Sequence, residues 1–211
     1  MMELFDKNQD PGHFELINRK EHTDTYLNCR TLVSDQDLLK AIAQHIWKTH
    51  VETHEIDCVL AVGTSAIPLA VNLAYRFECG VTFTLSRVKV ETKRIDDPET
   101  PKLNEEKRQD YNLIEMVPTY EEGQNLLIID DVISGGSVAQ DILEFLSDDM
   151  GKKPGKVYHH SIFRLGNREY IRDDRIVEYY YIEHIPDVMY ASENCPLCQK
   201  GEQLIREIEM Y

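Results

Sequence analysis

Apolar residues along this chain fall into two rhythms. One has helical spacing: Ser34 and Asp35 offer N-caps, and Leu38, Leu39, Ile42, Ala43 and Ile46 then recur three and four apart, which predicts a helix. The other is a short unbroken apolar run. Asp57 to Gly63 and Asn125 to Asp130 both lose the apolar/polar alternation, as strands covered on both faces do. Pro68 stands where a second helix can start, its missing N–H costing nothing there, and Leu69, Leu73 and Phe77 follow four apart. Gly80 is expected to end that helix, and Val81 to Val90 to form a strand. Ser137 opens a third helix with Val138, Ile142 and Leu146 on one face and Gln140 at capping-box spacing. Two late strands are predicted near Lys156 to Phe163 and Ile176 to Ile182, and a helical tail from Gly201.

Strands alternating with helices imply βαβ units and a mostly parallel sheet, whose ligands bind at the carboxyl ends of the strands. Residues 91–110 break the pattern. Twelve of these twenty are charged, two are Pro, and no apolar period runs through them, so they are expected to form a long surface loop.

Composition narrows the reading. A chain of 211 residues fits one domain, here taken as 1–211. The net charge of −15 argues against a protein that coats nucleic acid or an anionic membrane, so neither is expected as a partner. No run is long and apolar enough to span a bilayer, and the start lacks a basic flank before an apolar stretch. Five scattered Cys suit a reducing, cytoplasmic setting better than a disulfide framework. Any phosphate must therefore be held locally.

The segment that can do so is Leu127 to Ser137. An apolar strand ends in Asp130 and Asp131, passes through Val132 and Ile133, and turns through Ser134, Gly135 and Gly136 into the helix at Ser137. Glycines let backbone approach an anion, the helix N-terminus offers free N–H groups, and the serines add hydroxyl donors. Carboxylates accept pairs of hydroxyl hydrogen bonds and can hold hydrated Mg²⁺. A ribose phosphate with a metal nearby suits this string.

The string resembles the phosphoribosyl-pyrophosphate (PRPP) signature of the type I phosphoribosyltransferases, with Ser134 and Ser137 where the family usually has Thr. The resemblance implies that family's fold: a mostly parallel sheet flanked by helices, with a small hood formed by about residues 1–33 and the C-terminal segment. It implies that Asp130 and Asp131 bind the ribose hydroxyls, and that residues 130–137 form the PRPP loop. Gly63, Thr64, Ser65 and Ala66 are similar to the family's pyrophosphate loop. Residues 87–112 match its flexible, water-excluding hood loop, with Arg87, Lys89 and Arg94 as pyrophosphate contacts and Lys93 as a catalytic residue.

Phe14-Glu-Leu16, His22 to Tyr26 and Asn28-Cys-Arg30 resemble the opening of the orotate phosphoribosyltransferases. Their base-binding turn has Ser-Gly where this chain has Asn18 to Glu21, and Lys20 is the matching basic residue. Arg164 falls where an Arg holds the orotate carboxylate, a job for its two-pronged fork. The resemblance implies Mg²⁺ bound through PRPP, with Asp130 or Asp131 reached through water and no direct protein ligation. It also implies a homodimer and a nucleobase substrate, orotate favoured. Alternatives are another purine or pyrimidine base, a non-catalytic PRPP or nucleotide sensor, or a phosphoacceptor receiver-like domain. Cys195 and Cys198 have the spacing of half a zinc knuckle, but a structural site needs four ligands and the sequence has no second Cys pair. His159 and His160 complete the set only on paper, because they read as strand residues.

Overall fold

The computed structural model describes residues 9–16, 21–86, 89–94, 103–108, 113–116, 120–167, 169–170, 173–186 and 188–206. Its centre is a six-stranded sheet. In spatial order the strands are β10 (Ile176–Ile185), β9 (Val157–Leu165), β8 (Leu126–Ile133), β3 (Cys58–Val62), β4 (Gly80–Ser86) and β7 (Leu113–Met116). The first five run parallel and β7 closes the edge antiparallel.

The apolar runs form the middle of this sheet because helices cover both faces. On one side Val59, Ala61, Leu127 and Ile129 meet α2 (Gln36–His50) and α3 (Gly63–Phe77), through Ile42, Ala43, Ile46, Leu69 and Leu73. On the other, Cys58, Leu60, Leu126 and Ile128 meet α4 (Ser137–Glu144) through Ala139, Ile142 and Leu143. A helix α1 (Cys29–Ser34) precedes α2, and one π-helical turn, Phe145–Asp149, prolongs α4. Asp35 caps α2, its Oδ1 accepting from the N–H groups of Asp37 and Leu38. Among the described residues no helix is long and apolar enough to cross a membrane.

A second sheet joins strands from the N-terminal and C-terminal parts of the described residues. Its order is β11 (Met189–Ala191), β2 (Glu21–Leu27), β1 (Gln9–Leu16) and β12 (Ile205–Arg206). Where the helical tail is predicted, residues 201–206 instead end in this short strand, which aligns parallel to β1 with Phe14 opposite Ile205; residues 207–211 lie outside the described residues. A four-residue helix α5 (Pro196–Gln199) precedes it.

Four further expectations are corrected. Helix α3 begins at Gly63, five residues before Pro68, which sits inside it. The ring deletes one i→i−4 bond, and burial of Leu69, Ala70, Leu73 and Ala74 carries the helix past it. It ends at Glu78, which takes the left-handed conformation (φ 53°), and Gly80 opens β4 instead. The Ser137 capping box does not form: Gly136 is the N-cap, and Gln140 donates to Glu144. The strand expected over 81–90 is two, β4 and β5 (Lys89–Arg94). Within the charged segment β5 pairs antiparallel with β6 (Leu103–Arg108), Lys89 opposite Arg108. Ribbon pairing uses backbone groups and needs no apolar period, so the composition did not reveal it.

Candidate functional site

Strand β8 carries Asp130 and Asp131 to its carboxyl end, beside the carboxyl end of β3, where α3 starts. The two helix starts and the two acids therefore converge. Ser65, on the first turn of α3, donates its hydroxyl to Asp131 Oδ2. The other oxygen, Oδ1, accepts the Val132 N–H at 2.8 Å. The Cys29 thiol, buried on α1, is a third partner of the Asp131 carboxyl. Burial first, then the charges of Asp131 and Asp130, pushes that thiol far above its ordinary value, so it stays a neutral S–H. Asp131 is thus aimed by three elements that the sequence keeps far apart.

Asp130 lies deeper, 7% exposed. Burial raises its carboxyl well above the usual carboxylate range, and the neighbouring Asp131 raises it further. Backbone N–H groups of Asp131 and Val132 pull the other way without prevailing. Ser161 is its neighbour in register on β9, and the Ser161 hydroxyl lies 3.2 Å from the Tyr179 hydroxyl. Tyr179 stacks on Tyr170 with centroids 4.2 Å apart and planes 3° from parallel. The Tyr170 hydroxyl lies 2.9 Å from His159 Nδ1. Burial foremost, with Asp130 among the smaller charge effects, holds both phenols above their ordinary value, Tyr179 at about 12.

After β8 the chain turns through Ser134, Gly135 and Gly136, and both glycines are buried. Gly136 takes φ 86°, and a Cβ there would sit 2.5 Å from Tyr170 Cε2. No side chain caps α4. Its first-turn N–H groups and the glycine backbone are what this corner offers an anion. Ile133 is buried and Val132 half-buried, so both serve the loop as backbone. At the α3 corner Gly63 has φ 70°, Thr64 is exposed, Ser65 half-buried and Ala66 in the core.

Gly136→Ala is expected to cost about 2–3 kcal/mol of stability, the strain of positive φ plus the displacement of Tyr170. Gly123→Ala isolates the first part: Gly123 has φ 82° with nothing within 4 Å of a Cβ. It should cost only about 1 kcal/mol. Urea titrations compare them, and equal losses would mean that Tyr170 does not press on the loop.

Arg164 lies half-buried on β9, level with Ile133 on β8 and His184 on β10, its guanidinium carbon 5.6 Å from the centre of the Tyr181 ring. Lys89, Lys93 and Arg94 lie along β5. Lys20 and Arg87 lie outside the described residues. Sequence reasoning missed Cys29, Ser161, Tyr170 and Tyr179. Only contact through the fold brings them to the acidic pair, and no local spacing marks them.

Comparison with known proteins meets this geometry. The model of the phosphoribosyl transferase domain matches residues 30–158, more than half of the chain. An orotate phosphoribosyltransferase of Caldanaerobacter subterraneus subsp. tengcongensis is 21% identical over 210 residues, 98% of this chain and 94% of that protein. Leishmania donovani UMP synthase superposes with a TM-score of 0.58 at 15% identity, covering 86% of this chain but only 35% of that longer one. An adenine phosphoribosyl transferase of Trypanosoma brucei, solved with AMP, pyrophosphate and ribose-5-phosphate, gives a TM-score of 0.55 at 13% identity, covering 98% and 88%.

Proposed function

Given that the chain belongs to the phosphoribosyl transferase family, we propose that it transfers the phosphoribosyl group of PRPP to orotate, releasing pyrophosphate. The carrying observation is the pairing of Asp131 with Ser65 across the carboxyl ends of β8 and β3, beside the Ser134–Gly136 corner. In this reading the 5-phosphate rests on the backbone of residues 134–136 and the α4 N-terminus. Asp131, and Asp130 once its proton leaves, accept hydrogen bonds from the ribose hydroxyls. The Gly63–Ser65 corner faces the pyrophosphate, aided by Arg87, Lys89, Lys93 and Arg94 of the charged segment. Hard oxygen donors are what Mg²⁺ takes, and the Asp131 carboxylate meets that need through water. The ion supplies charge neutralisation of the leaving group. A ring nitrogen of the base forms a bond to C1 as the C1–oxygen bond to pyrophosphate breaks. Positioning and electrostatics carry that step, so no side-chain nucleophile is required.

Orotate, rather than another base, is supported by the curated relative's name and by Arg164 at the level of the loop. The Arg fork binds a planar carboxylate through two parallel bonds, with Lys20 as the second basic contact. The resemblance also underlies a homodimer, and the cytoplasmic setting rests on the five cysteines, none of which is in a disulfide.

Pyrophosphate release from PRPP and Mg²⁺ with a panel of bases tests the assignment. Release with orotate alone is expected, and Arg164→Ala should raise the orotate KM about 10- to 100-fold by removing a charge-assisted bond. Release with adenine or another base instead would overturn the orotate assignment and keep the chemistry. Tight PRPP binding without release on any base would make the protein a sensor.

A further inference from the structure

Cys195 and Cys198 lacked partners in the sequence, where His159 and His160 completed the set only on paper. The fold sets both aside. They lie in β9, where His159 meets Tyr170 and His160 meets His50. Two other imidazoles take their place. His13 on β1 and His22 on β2 come from adjacent strands, and the Cys195–Cys198 turn packs against them at a sequence distance of more than 170 residues. One ligand atom from each of the four lies within 4.8 Å of every other.

The individual distances carry the argument. His13 Nε2 is 3.0 Å from His22 Nδ1. Sulfur-to-nitrogen distances are 3.5 Å for Cys195 to His13, 3.6 Å for Cys198 to His13 and 3.2 Å for Cys198 to His22. Tetrahedral zinc has bonds of about 2.0–2.1 Å to nitrogen and about 2.3 Å to sulfur, which place nitrogens about 3.3 Å and sulfur–nitrogen pairs about 3.6 Å apart. Four of the six separations thus lie within about 0.4 Å of the edges of such a tetrahedron, and the other two are within 4.8 Å. Hydrogen bonding alone accounts for them poorly. His13 Nδ1 lies 3.0 Å from the Glu202 carbonyl oxygen, an acceptor, so the ring proton sits there and Nε2 presents a lone pair. That single lone pair faces three groups at 3.0–3.6 Å, more than it can accept from. The Glu202 carbonyl also orients the ring as the outer partner of a metal-bound His does.

We propose that His13, His22, Cys195 and Cys198 form a structural zinc site. Two thiolates balance the charge of the ion, and four protein ligands leave no open position for substrate, so the role is structural rather than catalytic. Thiolate and imidazole select zinc over Mg²⁺, which takes oxygen. Three of the four ligands are buried and Cys198 is exposed at the rim. The site ties β1 and β2 to the C-terminal segment, where, among the described residues, β12 adds two residues of pairing to β1. Residues 17–20, with Lys20, join the two histidine-bearing strands. The clamp therefore holds together the two strands that flank residues 17–20 in sequence.

Untagged full-length protein, purified without chelator from zinc-supplemented medium and analysed by plasma mass spectrometry, should hold about one zinc per chain. Cys198→Ser should remove most of it, while Cys79→Ser retains it. Cobalt in place of zinc should give the thiolate charge-transfer band and the visible spectrum of a tetrahedral site. Wild-type protein that keeps less than about a tenth of an equivalent after zinc loading, and shows no such cobalt spectrum, would overturn the site. Neither readout uses turnover, so the result stands whatever base the protein accepts.

Discussion

Asp131→Asn is expected to lower kcat/KM for pyrophosphate release by about 10²- to 10³-fold, the usual loss when one preorganised electrostatic contact goes. The side chain keeps its shape and loses its charge. It also loses the ability to accept on both sides, because one oxygen becomes an NH₂ donor. Both oxygens of Asp131 now face donors, the Ser65 hydroxyl at Oδ2 and the Val132 N–H at Oδ1. The hydroxyl can rotate and the amide cannot, so the new NH₂ should turn towards Ser65. That exchange costs about 1 kcal/mol of stability, small enough for cooperative urea unfolding to persist. Ser65→Ala separates orientation from charge. It leaves the carboxylate in place and should cost about tenfold in rate. Initial rates with saturating Mg²⁺, paired with urea midpoints, read both effects. Near wild-type turnover in Asp131→Asn would sink the assignment of this carboxylate to the reacting ribose.

The sequence announced the parts of this molecule whose physics is local. The β8 run Leu126 to Ile129 is apolar because helices cover both its faces, and such a run is legible without any structure. The Asp35-capped helix was legible for the same reason: cap and stripe lie within one window. The early start of α3 was hidden because Thr64 is exposed and Ala66 buried within one turn, which reads as a short loop. The β5–β6 ribbon was hidden because backbone pairing leaves no mark on composition. At the site, the two acids and the glycine corner were visible as a string. Their supports, Cys29 and Tyr170, sit about a hundred residues before and forty after it, and only tertiary contact selects them. The zinc ligands divided the same way: the cysteines stood out by spacing, whereas the histidines became a pair only when β1 met β2.

Acid should weaken the fold before the ordinary surface carboxylates titrate, through a buried set of imidazoles. His50 on α2 is fully buried and lies 3.0 Å from His160 Nδ1 and 3.2 Å from His54 Nδ1, with Tyr158 and Tyr180 against its ring. Burial, and then His54, lowers its pKa to about 4. Burial lowers His159 to about 3, and lowers His160 well below its ordinary value with His50, His45 and His159 adding to it. The Nε2 atoms of His159 and His160 are buried without a hydrogen-bond partner, so a proton there would have no acceptor. All three folded values lie below the unfolded value of about 6.5. The unfolded chain therefore binds more protons below that pH, and stability falls as pH drops from about 6.5 towards 4. Between pH 7 and 5 each imidazole that stays neutral removes about 2 kcal/mol, so two independent ones remove about 4. Asp130 works in the opposite direction, since its raised folded value relieves a strain as it takes up a proton, but as a single group it offsets only part. A loss of that size is a large share of a typical domain's 5–15 kcal/mol, roughly enough to halve the urea midpoint at pH 5. His159→Gln keeps a donor for Tyr170 and cannot be protonated, so its midpoint should fall less steeply between the two pH values than the wild type's. Equal midpoints at pH 7 and pH 5 in the wild-type protein would mean that these rings are protonated in the native state, and would contradict their burial.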